Sequence, residues 1–337
     1  MGLPLTEKSP TKCEVPTTKL DRAENPPGQF YARWQTIREP MTSMLPYLFA
    51  AYPLCFVIAA LVWLLRAKPQ SWPHYSMMTA VCGSIIVFVF LAGPWAFTSY
   101  YLRYVSLGLF ALAVIFMCQR IKINRQNGKN LSGASFAILA LALLLFVVLD
   151  ALAIAAYHQP GNPLNLSFPL ALGRYYVLQG GNSAVTNPFH ALSGSKLALD
   201  IVKLNAFGNR AGGIAPLTLN AYEIFGEKVY SPCAGSVSYV RDGLPDNAPG
   251  RPEVKYPEGN YVVLKCGDTE VFMAHLKRGS IALTVGEVVA VGQLIGNVGN
   301  SGNTLEPHLH ISATMSGAER GLQFRGRKLS VNSVVAR

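Results

Sequence analysis

The chain of 337 residues is half hydrophobic, is only 14% charged and carries a net charge of +11. A chain of that length holds two domains, and so apolar a composition excludes one that is soluble throughout. The positive charge lies beside apolar stretches rather than in a single patch, so no nucleic-acid partner is expected.

Residues 1–44 are polar, rich in Pro and Thr, and lack the apolar core of a cleavable signal peptide. They are expected to be a disordered tail. The MGLPLT start fits an N-myristoylation pattern only loosely, and Leu5 marks it as a chance match. Residues 45–157 follow with four apolar stretches, near 45–66, 76–98, 100–119 and 134–157, each close to the roughly 20 residues a helix needs to cross a bilayer. One such stretch also fits a buried core helix, but four in succession read as membrane spans. The third is the weakest, because Arg103 interrupts it near its start.

The basic residues set an orientation. Arg66 and Lys68 follow the first span, and Arg120, Lys122, Arg125 and Lys129 fill the connection between the third and fourth, which marks both loops as cytoplasmic. The loop between the second and third spans carries only Arg103, among Trp95, Phe97, Tyr100, Tyr101 and Tyr104, an aromatic belt for the opposite interface. Four spans then place both termini outside the cytoplasm, in a protein of the cytoplasmic (inner) membrane, although Arg33 and Arg38 just before the first span oppose this. Asp150 in the fourth span is ionisable, which inside a membrane marks function by default. It also lies about two turns from the outer end, within reach of the interface or of Arg103.

Residues 158–186 read as a Pro and Gly linker, and 187–337 as an all-β sandwich or barrel. Candidate strands occupy 196–202, 227–233, 235–241, 260–266, 270–276, 291–299 and 308–314, separated by turn residues. Cys233 and Cys266 end two of these strands, where an external domain would pair them, although their spacing also fits two free thiols. Cys55, Cys82 and Cys118 lie in the spans as small apolar side chains. Along the strand-like stretch GNSGNTLEPHLHIS, residues 299–312, His308 and His310 share one face and Leu309 and Ile311 the other. Such a pair fits a metal ligand with a catalytic neighbour, or two histidines hydrogen-bonded at a strand start.

The block VGEVVAVGQLIGNVGNSGNTLEPHLHI, residues 285–311, resembles the lysostaphin and LytM type of zinc metallopeptidase, whose members cut peptide cross-links of bacterial cell walls. The preceding VYSPCAGSV and MAHL segments match in order, so the resemblance covers roughly 165–337. It implies a LytM-like β domain in which His310 and Asp200, in LALDIV, are zinc (Zn2+) ligands, while His275 and His308 are catalytic histidines that do not bind the metal. Catalytic zinc sites take three protein ligands, which suits such a set.

The family's first motif is HxxxD, yet Lys196 stands four residues before Asp200 and cannot ligate zinc while protonated. Two readings compete: His190, in TNPFHALSGSKLALD, reaches in as the third ligand, or the site has lost its metal. His190 is favoured, because His74 lies between spans and His158 ends the fourth; the bland alternative is an exposed loop histidine. The segment KLNAFGNRAGGIAPLTLNAYEIFGEK, 203–228, replaces a short turn of the family and is expected to wall or cover the groove. Arg210 within it is expected to be an exposed, solubilising arginine rather than a substrate contact.

Two functions follow. The first is a membrane-anchored zinc metalloendopeptidase, a hydrolase acting on peptides of peptidoglycan. The second is a silent LytM-like domain that binds wall peptides and regulates a cell-wall hydrolase partner. A transporter or channel is disfavoured, since the spans offer little beyond Asp150 and Arg103 to line a polar path.

Overall fold

The helical half begins with α1, Gly28–Arg66, followed by α2, Trp72–Ala92, α3, Leu102–Ile123, and α4, Gly133–Ala155. These belong to a computed structural model that describes residues 28–69, 71–123, 132–193 and 195–337. The segment 1–27 with its myristoylation-like start and Cys13, together with Arg125 and Lys129, lies outside the described residues, as do the side chains of Arg33, Arg38 and Lys122. Four helical stretches are long and apolar enough to cross a bilayer: Met44–Arg66, Trp72–Ala92, Leu102–Arg120 and Gly133–Ala155. Helix starts follow local chemistry: the Ser71 hydroxyl accepts from the backbone N–H of His74 at 3.4 Å, with Pro73 in the first turn, and Ser132 caps α4 through the N–H of Ser135.

Val57, Ala60 and Leu64 of α1 pack with Cys82, Ile86 and Val89 of α2 and Met117 of α3. On α4, Ile138, Leu141 and Leu144 stay exposed, as lipid-facing residues do. The ionisable residues of the spans are placed differently from the pairing considered above. The Asp150 carboxylate accepts from the Ser84 hydroxyl at 2.6 Å. Arg103 instead lies 3.9 Å from the Phe90 ring centroid and donates to the Asn332 carbonyl. One Asp150 oxygen is thus bonded to a neighbouring helix, while Arg103 faces the β-rich half.

That half contains β1, Leu164–Leu166, β2, Arg174–Gln179, a short helix α5, Pro188–Ser193, and β3, Leu199–Leu204. Next come β4, Lys228–Tyr230, β5, Gly235–Arg241, β6, Asn260–Cys266, β7, Thr269–Leu276, β8, Val288–Val289, and β9, Leu294–Asn297. The C-terminal strands are β10, Leu309–Met315, β11, Ala318–Arg320, β12, Leu322–Phe324, β13, Arg327–Lys328, and β14, Val334–Ala336. The main sheet is antiparallel in the order β14-β2-β3-β10-β7-β6-β5-β8, with β11 beside β10. Small sheets of β1, β12 and β13 and of β4 and β9 complete the domain. The segment 158–186, read from the sequence as a linker, contributes β1 and β2. Cys233 and Cys266 are disulfide-bonded.

Alternation along the strands gives the sheet two different faces. One builds the main core from residues such as Leu199, Ile201, Val262, Met273, Leu309 and Ile311. On the other, Tyr176, Val202 and Leu204 pack with Ala96 and Tyr100 from the turn between α2 and α3. Spans and strands share one compact unit, Glu39–Arg337.

Candidate metal centre

Antiparallel pairing of β10 with β3 sets His310 directly opposite Asp200, and of β10 with β7 sets it opposite Ala274. Leu309 and Ile311 enter the core, so His308 and His310 share the outer face, as the alternation predicts. Regular alternation from Ala274 would turn His275 into the core. An extra residue on β7 against β6, between Asn260 and Val262, breaks the register there, and His275 takes φ 61°. The bulge brings its ring within 4.7 Å of His308 and 5.9 Å of His310, centroid to centroid.

His190 arrives from α5. Its Nε2 lies 3.3 Å from Asp200 Oδ1, while His310 Nδ1 lies 3.1 Å and His308 Nε2 3.5 Å from the same oxygen. Donor atoms of His190, Asp200 and His310 all fall within 4.8 Å of one another, and the three residues are buried. Lys196 is exposed in the turn before β3. It contributes only its carbonyl, which accepts from the Asn187 amide at 2.9 Å.

Hydrogen bonds to the far side of three imidazoles select their tautomers. The Asn187 side-chain N–H2 donates to the carbonyls of Lys196 and Ala198, so its Oδ1 is the atom that accepts from His190 Nδ1–H at 2.7 Å. His308 Nδ1–H donates to the Glu306 carbonyl and His275 Nδ1–H to that of Ser301, each at 2.8 Å. Each ring therefore turns Nε2 toward the shared site, the arrangement that outer hydrogen bonds impose on metal-binding histidines.

Electrostatics agree. Burial alone would raise the Asp200 carboxyl pKa, but the nearby His308 and His190 and hydrogen bonds from His190 and His310 hold it well below the usual range. Burial lowers His275 far below an ordinary imidazole, helped by His308 and His310, and keeps it neutral. For His310 burial also wins over the Asp200 attraction, whereas for His190 burial, the largest single effect, is outweighed by the charge and hydrogen bond of Asp200 together with Glu319, and the pKa rises. Two imidazoles and an ionised carboxylate converging in a buried pocket are a donor set that fits zinc.

Arg210 differs from its sequence reading. Far from exposed, it is 1% accessible, and its guanidinium grips the Glu306 carboxylate through two contacts of 2.6 Å. The same group lies 3.5 Å from the Phe97 ring centroid, and Glu306 is the residue whose carbonyl orients His308. Pairing with a residue 96 positions away left no local pattern to read. Asn187 was missed for a related reason, since its role appears only when α5 folds against the start of β3.

The sequence from 219 to 320 matches the description Peptidase family M23. This stretch is an M23 peptidase domain. The M23 match contains His275, His308 and His310, while His190 and Asp200 precede it on α5 and β3. Among solved structures the chain is similar to a zinc-containing peptidase from Vibrio cholerae, at 22% identity over 47% of this chain and 39% of that one, TM-score 0.30. It is also similar to a putative peptidase M23 from Pseudomonas aeruginosa, at 22% identity over 51% and 56%, TM-score 0.28. A third is the antimicrobial peptidase lysostaphin from Staphylococcus simulans, at 22% identity over 30% and 40%, TM-score 0.20. The chain thus spans less than two thirds of each of these structures. No curated protein gives a significant match.

Proposed function

We propose that the protein is a membrane-anchored zinc metalloendopeptidase that hydrolyses peptides of bacterial peptidoglycan, with its β domain on the extracytoplasmic side of the inner membrane. The observation that carries this reading is the convergence of His190 Nε2, Asp200 Oδ1 and His310 Nδ1 in a domain of the M23 family. These three residues would hold the zinc. When bound, it supplies Lewis-acid polarisation of the scissile carbonyl and a water acidified toward neutral pH. His308 and His275, fixed with Nδ1–H on backbone carbonyls, each present Nε2 as a proton acceptor. Either ring takes the proton of the attacking water at Nε2 and returns it to the amine nitrogen as the peptide bond breaks.

The alternative, a silent domain that regulates another hydrolase, rests on Lys196 at the HxxxD position; His190 beside Asp200 supports the enzyme instead. Zinc content and hydrolysis of stem peptides by the purified full chain decide between them. We expect about one zinc per chain, loss of zinc and activity in His190→Ala, and retention of zinc in Lys196→Ala. His308→Ala should keep zinc and lose activity by about 100-fold. A wild-type chain without zinc or hydrolysis would leave the regulator.

A further inference from the structure

The face of the sheet that bears the site is the face that lies on the membrane helices. Along β3, Leu199 and Ile201 enter the core, while Asp200, Val202 and Leu204 share the opposite side. Val202 and Leu204 pack on Ala96 at the end of the helical bundle, and alternate side chains on a strand stand only about 7 Å apart. Two other walls of the site reach the same end. Phe189, next to His190, meets Phe49 of α1 at 6.3 Å between ring centroids. Arg210, which holds Glu306 behind His308, lies against Phe97. Phe49 is itself about 8 Å along the helix from Met44, where the apolar span begins.

This placement is clamped rather than tethered. The Asn332 amide donates to the Leu91 carbonyl at 2.8 Å, and the Tyr100 N–H to Gly208 at 2.9 Å. The Ser99 hydroxyl donates to Phe207 at 2.7 Å, and the Arg210 N–H to Ala96 at 3.1 Å. The Phe207 side chain, 77% exposed, belongs to the loop held by this turn, where exposed Tyr101 and Tyr104 mark the level of an aromatic interface belt. A domain of about 150 residues is about 40 Å across, so a site on its far face would stand that far from lipid. This one is on the near face.

We infer that the site works at the bilayer surface, on a wall peptide still carried by a lipid anchor in the same membrane. The inference rests on the peptidase reading above. A clamped domain cannot rise to a cross-link held away from the membrane, whereas a lipid-anchored peptide presents its bond at the height of His190, Asp200 and His310.

The test uses the full chain in vesicles, with one fluorogenic stem peptide either free in solution or joined by a short linker to a lipid in the same bilayer. The expected result is kcat/KM at least about 30-fold higher for the anchored form, an enhancement within the reach of local concentration. Height is read separately from a fluorophore on Lys196→Cys, in a background with Cys13, Cys55, Cys82 and Cys118 replaced by Ala. Spin labels on lipid head groups should quench it strongly. An unquenched fluorophore, or equal cleavage of both peptides, overturns the bilayer-surface site and leaves the peptidase standing. Failure to cleave either peptide overturns the peptidase reading, and strong quenching would then show only the position of the domain, removing the substrate inference with it.

Discussion

Among the residues of the site, Arg210 and Glu306 are the pair whose removal should be felt furthest. Both are buried, so truncating one leaves the other charge without a partner, at about 3–5 kcal/mol. Arg210→Met is therefore expected to be destabilised by that amount in chemical denaturation, and to lose turnover more than substrate affinity because Glu306 no longer holds His308. Combining Arg210→Met with Glu306→Leu should recover most of the stability, since neither charge is then stranded, but not the turnover. His190 makes a second prediction. Its pKa is raised by Asp200, whereas those of His310 and Asp200 lie below their ordinary values. On acidification His190 is thus the first ligand to take a proton, and the proton occupies the atom that would bind metal. Zinc affinity, measured by chelator competition, should begin to fall at a higher pH than an ordinary imidazole ligand would require, and then by about tenfold per pH unit.

Short elements with irregular backbone do the positioning. The β7 bulge turns His275 onto the face that bears His308 and His310, and α5 brings His190 beside Asp200. Further along the sheet, the Cys233–Cys266 disulfide joins the connection between β4 and β5 to the end of β6, across 33 positions of sequence. Closing a loop of that length contributes about 3–4 kcal/mol through the unfolded chain. The double variant Cys233→Ala with Cys266→Ala should lose about that much stability and keep its zinc. Unreduced peptides from the native compartment, analysed by mass spectrometry, should show the bond intact; free thiols there would contradict an external β domain.

For the whole molecule, the helical bundle is a platform for the β domain, because the turn between α2 and α3 packs on β3 and Phe49, midway along α1, meets Phe189 beside His190. The proposed function requires one orientation of the chain, with the β domain outside the cytoplasm. A reporter fused after Arg337 is expected to be active solely in its extracytoplasmic form, the orientation proposed from the basic residues Arg66, Lys68 and Arg120 at the other end of the spans. Cytoplasmic activity of that fusion would overturn both the orientation and the wall substrate.

What repeats locally or is written in contiguous motifs was legible in the sequence. Hydropathy marks the four apolar helices, alternation puts His308 and His310 on one face, and the LALDIV, AHL and HxH segments, in that order along the chain, hold four of the five candidate site residues. The sequence could not determine what depends on pairing across long separations. Strands β1 and β2 lie in a stretch that reads as linker because Gly and Pro surround them; the partner of β1, and one of the two partners of β2, come from the C-terminal end of the chain. Arg210 reads as solvated in a loop rich in Gly; only folding against Phe97 and Glu306 buries it. Which face of the sheet lies on the helical bundle was decided in the same way. Alternation along β3 gives two equivalent faces until a tertiary contact chooses between them.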